Sequence, residues 1–122
     1  MSVKAVRGAV QLEQDTAPAM ADAVQRLVSS LVKSNKADPD RIISLIFSQT
    51  TDLCSENPAR ALRRFGYSQV PLFCTSEPTY PDSLPKTLRV LMTFETDGDE
   101  PVSPVYLDGA RRLRPDLSEE RG

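Results

Sequence analysis

The chain has 122 residues, of which 39% are hydrophobic and 26% charged, a composition that fits one small globular domain with a single core. Its formal net charge of −2 provides no basic surface, so we expect a small-molecule partner and neither a nucleic acid nor a membrane. Histidine is absent, which excludes Ser-His-Asp and Cys-His catalysis and histidine zinc sites. Any catalysis must then use Arg, Glu, Asp, Tyr or Cys.

The cysteine pattern and the hydropathy indicate a cytoplasmic protein. Cys54 and Cys74 are the only cysteines, and their spacing predicts neither a disulfide framework nor a metal-binding knot. No apolar run reaches the length of a membrane span, and the N-terminus lacks the basic segment and apolar core of a secretory signal. We therefore expect the reducing cytoplasm.

The first predicted element is a strand over residues 3–12, whose alternation places apolar side chains and Gly8 on one face. The other face carries Arg7 between two alanines, so that a cation stands among small side chains on what looks like a core strand. This placement raises the question of which negative group Arg7 meets.

A long helix follows, opened by Asp15 and Thr16, with Pro18 in its first turn, and ending near Asn35. Its apolar side chains repeat at helical spacing and predict one stripe packed on a sheet. These side chains are Met20, Ala23, Val24, Leu27, Val28 and Leu31.

The middle of the chain predicts a strand and a short helix. The run "RIISLIFSQT", residues 41–50, is mostly apolar and β-branched, which favours a central strand buried on both faces. Asn57 is a good cap for a short basic helix over residues 58–65, and Gly66 is placed to end that helix.

Three further strands are predicted after Gly66. The first covers residues 67–75, where Pro71 indicates an edge or a bulge, and an extended proline-rich connection over residues 77–86 follows it. The second covers residues 87–96 and has Arg89 near its start, and the third is a short strand over residues 104–110. The polar tail from residue 111 is expected to fray after Leu117.

These elements predict a single α/β (α+β) domain over residues 1–117, with a polar tail over residues 118–122. The fold is a mixed five-stranded sheet with one long and one short helix, mostly on one face. A sheet with so few helices usually buries its other face in an oligomer.

Six segments, in this order and spacing, resemble the AroH class of chorismate mutases: "VRGAV", "DLCSENPARALRR", "VPLFCTSE", "LRVLMT", "VYL" and "LRPDLS". The resemblance spans nearly the whole chain. It implies a homotrimer with a site at each subunit boundary, and the isomerase that converts chorismate to prephenate in phenylalanine and tyrosine biosynthesis. It also implies that no cofactor, metal or covalent intermediate takes part.

The resemblance assigns roles to the residues around the reacting atoms. Arg7 binds a substrate carboxylate, while Arg89 binds the ether oxygen and a shared carboxylate. Glu77 accepts a hydrogen bond from the ring hydroxyl, which Cys74 contacts mainly through its backbone. The phenol of Tyr106 donates to a carboxylate. Arginines suit this chemistry because they stay charged and form two-pronged bonds to carboxylates.

The remaining residues implied by the resemblance lie at the mouth of the site. Arg60 and Arg63 come from the neighbouring subunit, and Leu113 and Arg114 belong to a tail segment that closes over the substrate. Asn57 departs from the family, which commonly has an aromatic residue there; its expected role is chiefly that of helix cap.

Two alternatives stay open on the sequence. One is a small trimeric enamine/imine deaminase, whose fold is similar and whose interface arginine also binds a carboxylate. The other is a non-catalytic module that keeps the trimer and the carboxylate pocket. Rate, affinity, feedback regulation, the effect of Asn57 and the order of the tail on binding are not determined by the sequence.

Overall fold

The structure is a computed structural model that describes residues 1–114. It consists of one sheet, two α-helices and two short 3-10 helices. The strands are β1 (Ser2–Gln11), β2 (Ile42–Gln49), β3 (Leu72–Ser76), β4 (Thr87–Thr96) and β5 (Val105–Leu107); the α-helices are α1 (Ala17–Ser34) and α2 (Pro58–Arg63); the 3-10 helices are Pro39–Arg41 and Asp108–Leu113.

The five strands form one mixed sheet in the order β3-β2-β4-β1-β5. Strand β4 lies at the centre and runs antiparallel to both β1 and β2. The outer pairs, β1 with β5 and β2 with β3, are parallel. This arrangement confirms the prediction of a mixed five-stranded sheet with one long and one short helix.

Helix α1 forms as its sequence predicts. The hydroxyl of Thr16 accepts from the Ala19 amide at 3.1 Å, and Asn35 caps the other end. The apolar stripe is buried on one face of the sheet, where Gly8 of β1 permits close approach. A Cβ on Gly8 would lie only 3.0 Å from Cδ1 of Leu31, so the absence of a side chain brings helix and sheet together.

The prediction that residues 41–50 form a central strand buried on both faces is wrong for the single chain. Strand β2 is internal, between β3 and β4, but its side chains alternate between a buried and an exposed face. Leu45 and Phe47 lie in the core, whereas Ile43 and Ile46 are exposed. The helices cover only one face of the sheet, which leaves the other apolar positions of β2 uncovered.

The elements around the third predicted strand are shorter than the sequence indicated. Helix α2 ends two residues before the predicted limit, and Gly66 follows in the left-handed region at φ +97°. Strand β3 begins only after Pro71, since the Val70 amide donates to the Tyr67 carbonyl in a turn. The position of β3 at the sheet edge agrees with the proline, which cannot donate to a neighbour.

The end of the described chain also differs from its prediction. Strand β5 covers only Val105–Leu107, and Asp108, at φ +56°, turns the chain into the 3-10 helix Asp108–Leu113. Residues expected to be strand and tail therefore form a helix over the sheet edge. The expected domain boundary at residue 117 and the frayed segment beyond it lie outside the described residues.

We call the sheet face opposite the α-helices the open face. Phe73, Ile46 and Leu91 lie in register across three neighbouring strands on this face and are 63%, 42% and 38% exposed, respectively. Apolar side chains in register form a continuous exposed strip. No helix within residues 1–114 combines the length and the apolar character that a bilayer crossing requires.

Candidate active site

A small cleft opens at the β1–β5 end of the open face. Its floor is Ala9, which pairs with Arg89 on one side and with Tyr106 on the other, so that the three side chains project from the same face. The cleft measures about 200 Å³ and is also lined by Leu113 and Arg114. Arg7 also lines it. The structure thus brings together five of the predicted site residues: Arg7, Arg89, Tyr106, Leu113 and Arg114.

Arg7 reaches the cleft from β1. It is exposed on the open face of β1, one position from Gly8, which faces the helices. Among residues 1–114, no carboxylate lies within ion-pair distance of its guanidinium. The cation seen in the sequence therefore remains available to an anionic ligand.

Arg89 is held by Glu77. Its Nε lies 2.9 Å from Oε1 and 3.0 Å from Oε2 of Glu77, and the side chains are 43% and 20% exposed. Within the described residues, its two Nη groups take part in no hydrogen bond. Glu77 thus orients the guanidinium through Nε and leaves the two Nη groups of Arg89 to donate to a ligand.

Ser48 is a residue of this network that sequence reasoning missed. It pairs with Arg89 across β2 and β4, and its hydroxyl donates to Oε1 of Glu77 at 3.0 Å. The sequence offers only a weak signal, a serine in a mostly apolar strand that also contains Ser44. Strand pairing, which the sequence does not specify, was needed to place that hydroxyl beside Glu77.

The thiol of Cys74 points away from the cleft. Cys74 pairs with the fully buried Phe47, and its side chain packs against the core on the helix-covered face. Burial raises the pKa of this thiol, which keeps it protonated at neutral pH. The side chain of Cys74 therefore lies on the face opposite the cleft.

Helix α2 carries three predicted site residues that do not line the cleft of their own chain. Asn57 caps the helix by accepting from the amides of Ala59 and Arg60 at 2.8 and 3.2 Å. Arg60 donates to the buried carboxylate of Glu56 at 2.6 Å, and this contact lowers the pKa of Glu56. Arg63 is exposed. The structure confirms the cap and leaves both predicted arginines on an outer surface.

The chemistry available in the cleft is the binding and stabilisation of negative charge. Two arginines and a phenol line the cleft and can donate to an anion. Glu77 does not line the cleft, but it is bound to Arg89 and can accept from a hydroxyl. Within residues 1–114, no three Cys, Asp or Glu side chains are grouped as a metal site requires. Charged donors fixed on a sheet are suited to hold a compact anion in one orientation.

The fold and the cleft define a small α/β protein whose cleft is lined by arginines with side-chain donors suited to an anion. Residues 3–117 match the family model described as chorismate mutase type I. The chain is 39% identical to chorismate mutase AroH of Thermus thermophilus, over 94% of this chain and 96% of that protein. It is 33% identical to chorismate mutase AroH of Bacillus subtilis, over 97% and 94%.

The solved structures agree. A chorismate mutase from Clostridium thermocellum superimposes with a TM-score of 0.86 and 38% identity, covering 90% of this chain and 99% of that one. The chain belongs to the type I chorismate mutase family, and it is therefore an isomerase. The deaminase-like alternative and the non-catalytic module are not favoured.

Proposed function

We propose that this chorismate mutase rearranges chorismate to prephenate in the cleft between β1, β4 and β5, by conformational restriction and electrostatic stabilisation. The observation that carries the proposal is the pair of arginines that line the cleft. Arg7 has no carboxylate partner within residues 1–114, and Arg89 is oriented by Glu77 through Nε alone. Two such cations match a ligand that carries two carboxylates.

The reaction breaks the ether carbon–oxygen bond while a carbon–carbon bond forms across the ring, and no proton has to move. The site therefore has to hold the extended substrate in its compact conformer and to place positive charge where the ether oxygen becomes electron-rich. Arg89 meets that oxygen and a carboxylate, and Arg7 meets a carboxylate. The rearrangement requires no metal, cofactor or covalent intermediate, so the fixed charges of the chain suffice for catalysis.

The other residues orient the substrate. Glu77 accepts from the ring hydroxyl with lone pairs that Arg89 and Ser48 leave unused, and the backbone of Cys74 contacts the same hydroxyl. Tyr106 donates its phenolic hydrogen to a carboxylate. Leu113 and Arg114 cover the bound substrate. The placement of Leu113 and Arg114 beside Arg7 in one cleft supports this covering role.

The functional assembly is a homotrimer with its sites at the subunit boundaries. The exposed strip of Phe73, Ile46 and Leu91 supports burial of the open face against another copy. Arg60 and Arg63 then reach the cleft of a neighbour, where they attract the anionic substrate. The enzyme works in the cytoplasm, in phenylalanine and tyrosine biosynthesis.

Incubation of the pure protein with chorismate tests the activity. Loss of chorismate absorbance in the ultraviolet, with stoichiometric prephenate formation, is expected; a deaminase or a silent binding module would leave chorismate unchanged.

Turnover should be nearly flat from about pH 6 to pH 9, because arginines stay charged and no proton is transferred. A bell-shaped kcat profile in this range would indicate general acid–base catalysis and contradict the mechanism.

Subunit exchange tests the shared site. Arg63→Ala and Arg89→Ala are each expected to be nearly inactive. In randomly mixed trimers about one site in four combines an intact Arg63 from one subunit with an intact Arg89 from its neighbour, so about a quarter of the activity should return. If both arginines act within one chain, every site keeps one defect and no activity returns.

A further inference from the structure

We propose that Ser48 is a positioning residue of the active site, whose hydroxyl holds the Glu77 carboxylate in the orientation that aligns Arg89 with the substrate. The inference rests on the proposed roles of Glu77 and Arg89 and extends them by one residue. None of the six segments that carry the family resemblance includes Ser48.

The strand register places Ser48 on the open face. Residues 44, 46 and 48 of β2 pair with residues 93, 91 and 89 of β4, and both sets project from the same side of the sheet. The backbone amide of Glu77 donates to the Gln49 carbonyl at 2.8 Å. This hydrogen bond holds Glu77, the first residue of the connection between β3 and β4, beside the residue that follows Ser48 in β2. Backbone pairing therefore places Ser48, Glu77 and Arg89 together.

Two donors act on one carboxylate. Nε of Arg89 approaches both oxygens of Glu77, and the Ser48 hydroxyl donates to Oε1 at 3.0 Å. One donor alone would allow the terminal torsion of a glutamate to vary, since that torsion is intrinsically broad. The second donor, fixed to a rigid strand, sets the plane of the carboxylate and with it the plane of the guanidinium.

Packing of the single chain does not require a hydroxyl at this position. Ser48 is half-buried and lies outside the hydrophobic core, and Ile46, two residues earlier on the same face, is apolar and exposed. Serine is a poorer strand former than isoleucine, which occupies three of the eight positions of β2. The hydrogen bond to Glu77 is what the serine contributes.

Three variants test the inference through kinetics. Ser48→Ala should lower kcat by about tenfold, with a smaller change in KM, because a lost hydrogen bond to a charged group misaligns Arg89 in the transition state. Ser48→Thr keeps the hydroxyl and should stay within about twofold of wild type. Ser44→Ala makes the same change on the same strand and face, opposite Thr93 and away from Glu77, and should leave kcat unchanged.

A double-mutant cycle with Glu77→Ala separates positioning from general destabilisation. If Ser48 acts through Glu77, adding Ser48→Ala to Glu77→Ala should change kcat by less than about twofold. An equal loss in both backgrounds would overturn the inference. A direct readout is the Arg89 Nε–H resonance in ¹⁵N NMR, which should exchange faster with water in Ser48→Ala than in Ser48→Thr or Ser44→Ala.

The outcomes distinguish this inference from the function on which it rests. If Glu77→Ala and Arg89→Ala keep full activity, the proposed roles of those residues fail. If both lose activity while Ser48→Ala matches Ser44→Ala in kcat and in Nε–H exchange, only the positioning role of Ser48 is refuted.

Discussion

Replacement of Arg89 tests the mechanism most directly. The hypothesis is that negative charge on the ether oxygen grows as its bond to carbon lengthens, so that a fixed cation stabilises the transition state more than the bound substrate. Its loss should therefore appear in kcat. By comparison with removal of one oxyanion donor, Arg89→Ala should cost about 3 kcal/mol or more, roughly a hundredfold or greater loss in kcat.

The structure separates this loss from an effect on stability. In the single chain the Arg89 side chain is 43% exposed, and its ion pair with Glu77 is therefore worth at most about 1 kcal/mol to folding. Arg41→Ala removes a comparable ion pair, 3.2 Å from Asp97, far along the sheet from the cleft. Both variants should unfold at nearly the same temperature as wild type by calorimetry, while only Arg89→Ala loses activity.

The assay is steady-state chorismate consumption by a graded series at this position. Lysine keeps the charge but has a shorter reach and a different donor geometry, so Arg89→Lys should recover only part of kcat. Citrulline, introduced by semisynthesis, keeps the shape and most hydrogen-bond donors but deletes the charge. A citrulline enzyme with near-normal kcat would show that the charge is dispensable and refute the electrostatic account.

Three other predictions concern packing, thiol chemistry and ionisation. A Cβ at Gly8 would lie 3.0 Å from Leu31 Cδ1. Gly8→Ala should therefore lower the free energy of unfolding in urea by about 1–3 kcal/mol, and an unchanged value would contradict the tight packing. Burial raises the pKa of Cys74, so Cys74→Ser should keep kcat within about twofold. A covalent substrate adduct at this thiol in mass spectrometry would overturn that assignment. Arg60 lowers the pKa of Glu56 below its ordinary value of 4.5, so this carboxylate stabilises the fold above that pH and loses its effect as the pH falls through the folded value. The Tm difference between wild type and Glu56→Gln should shrink below about pH 4, whereas a pH-independent difference would contradict this linkage.

The sequence alone determined the features that depend on near neighbours. The 3.6-residue repeat and the caps at Thr16 and Asn35 predicted both ends of α1 to within one residue, because helix formation and capping depend on near neighbours in the sequence. Period-two alternation likewise placed Arg7 on the face opposite the core. The family resemblance supplied the expected roles of Arg7 and Arg89, which stay predictions, and the structure placed both residues in one cleft.

The tertiary structure decided which residues meet across the sheet. Alternation assigns a side chain to one face, but it does not say which strand lies beside it or in what register. The pairing of Ser48 with Arg89 and the return of the chain to bring Glu77 beside them are long-range contacts. The uncovered face of β2 and the turn at Asp108 also depended on the assembled sheet. Such contacts reflect the packing of the whole domain, and a short segment contains no local signal that specifies them.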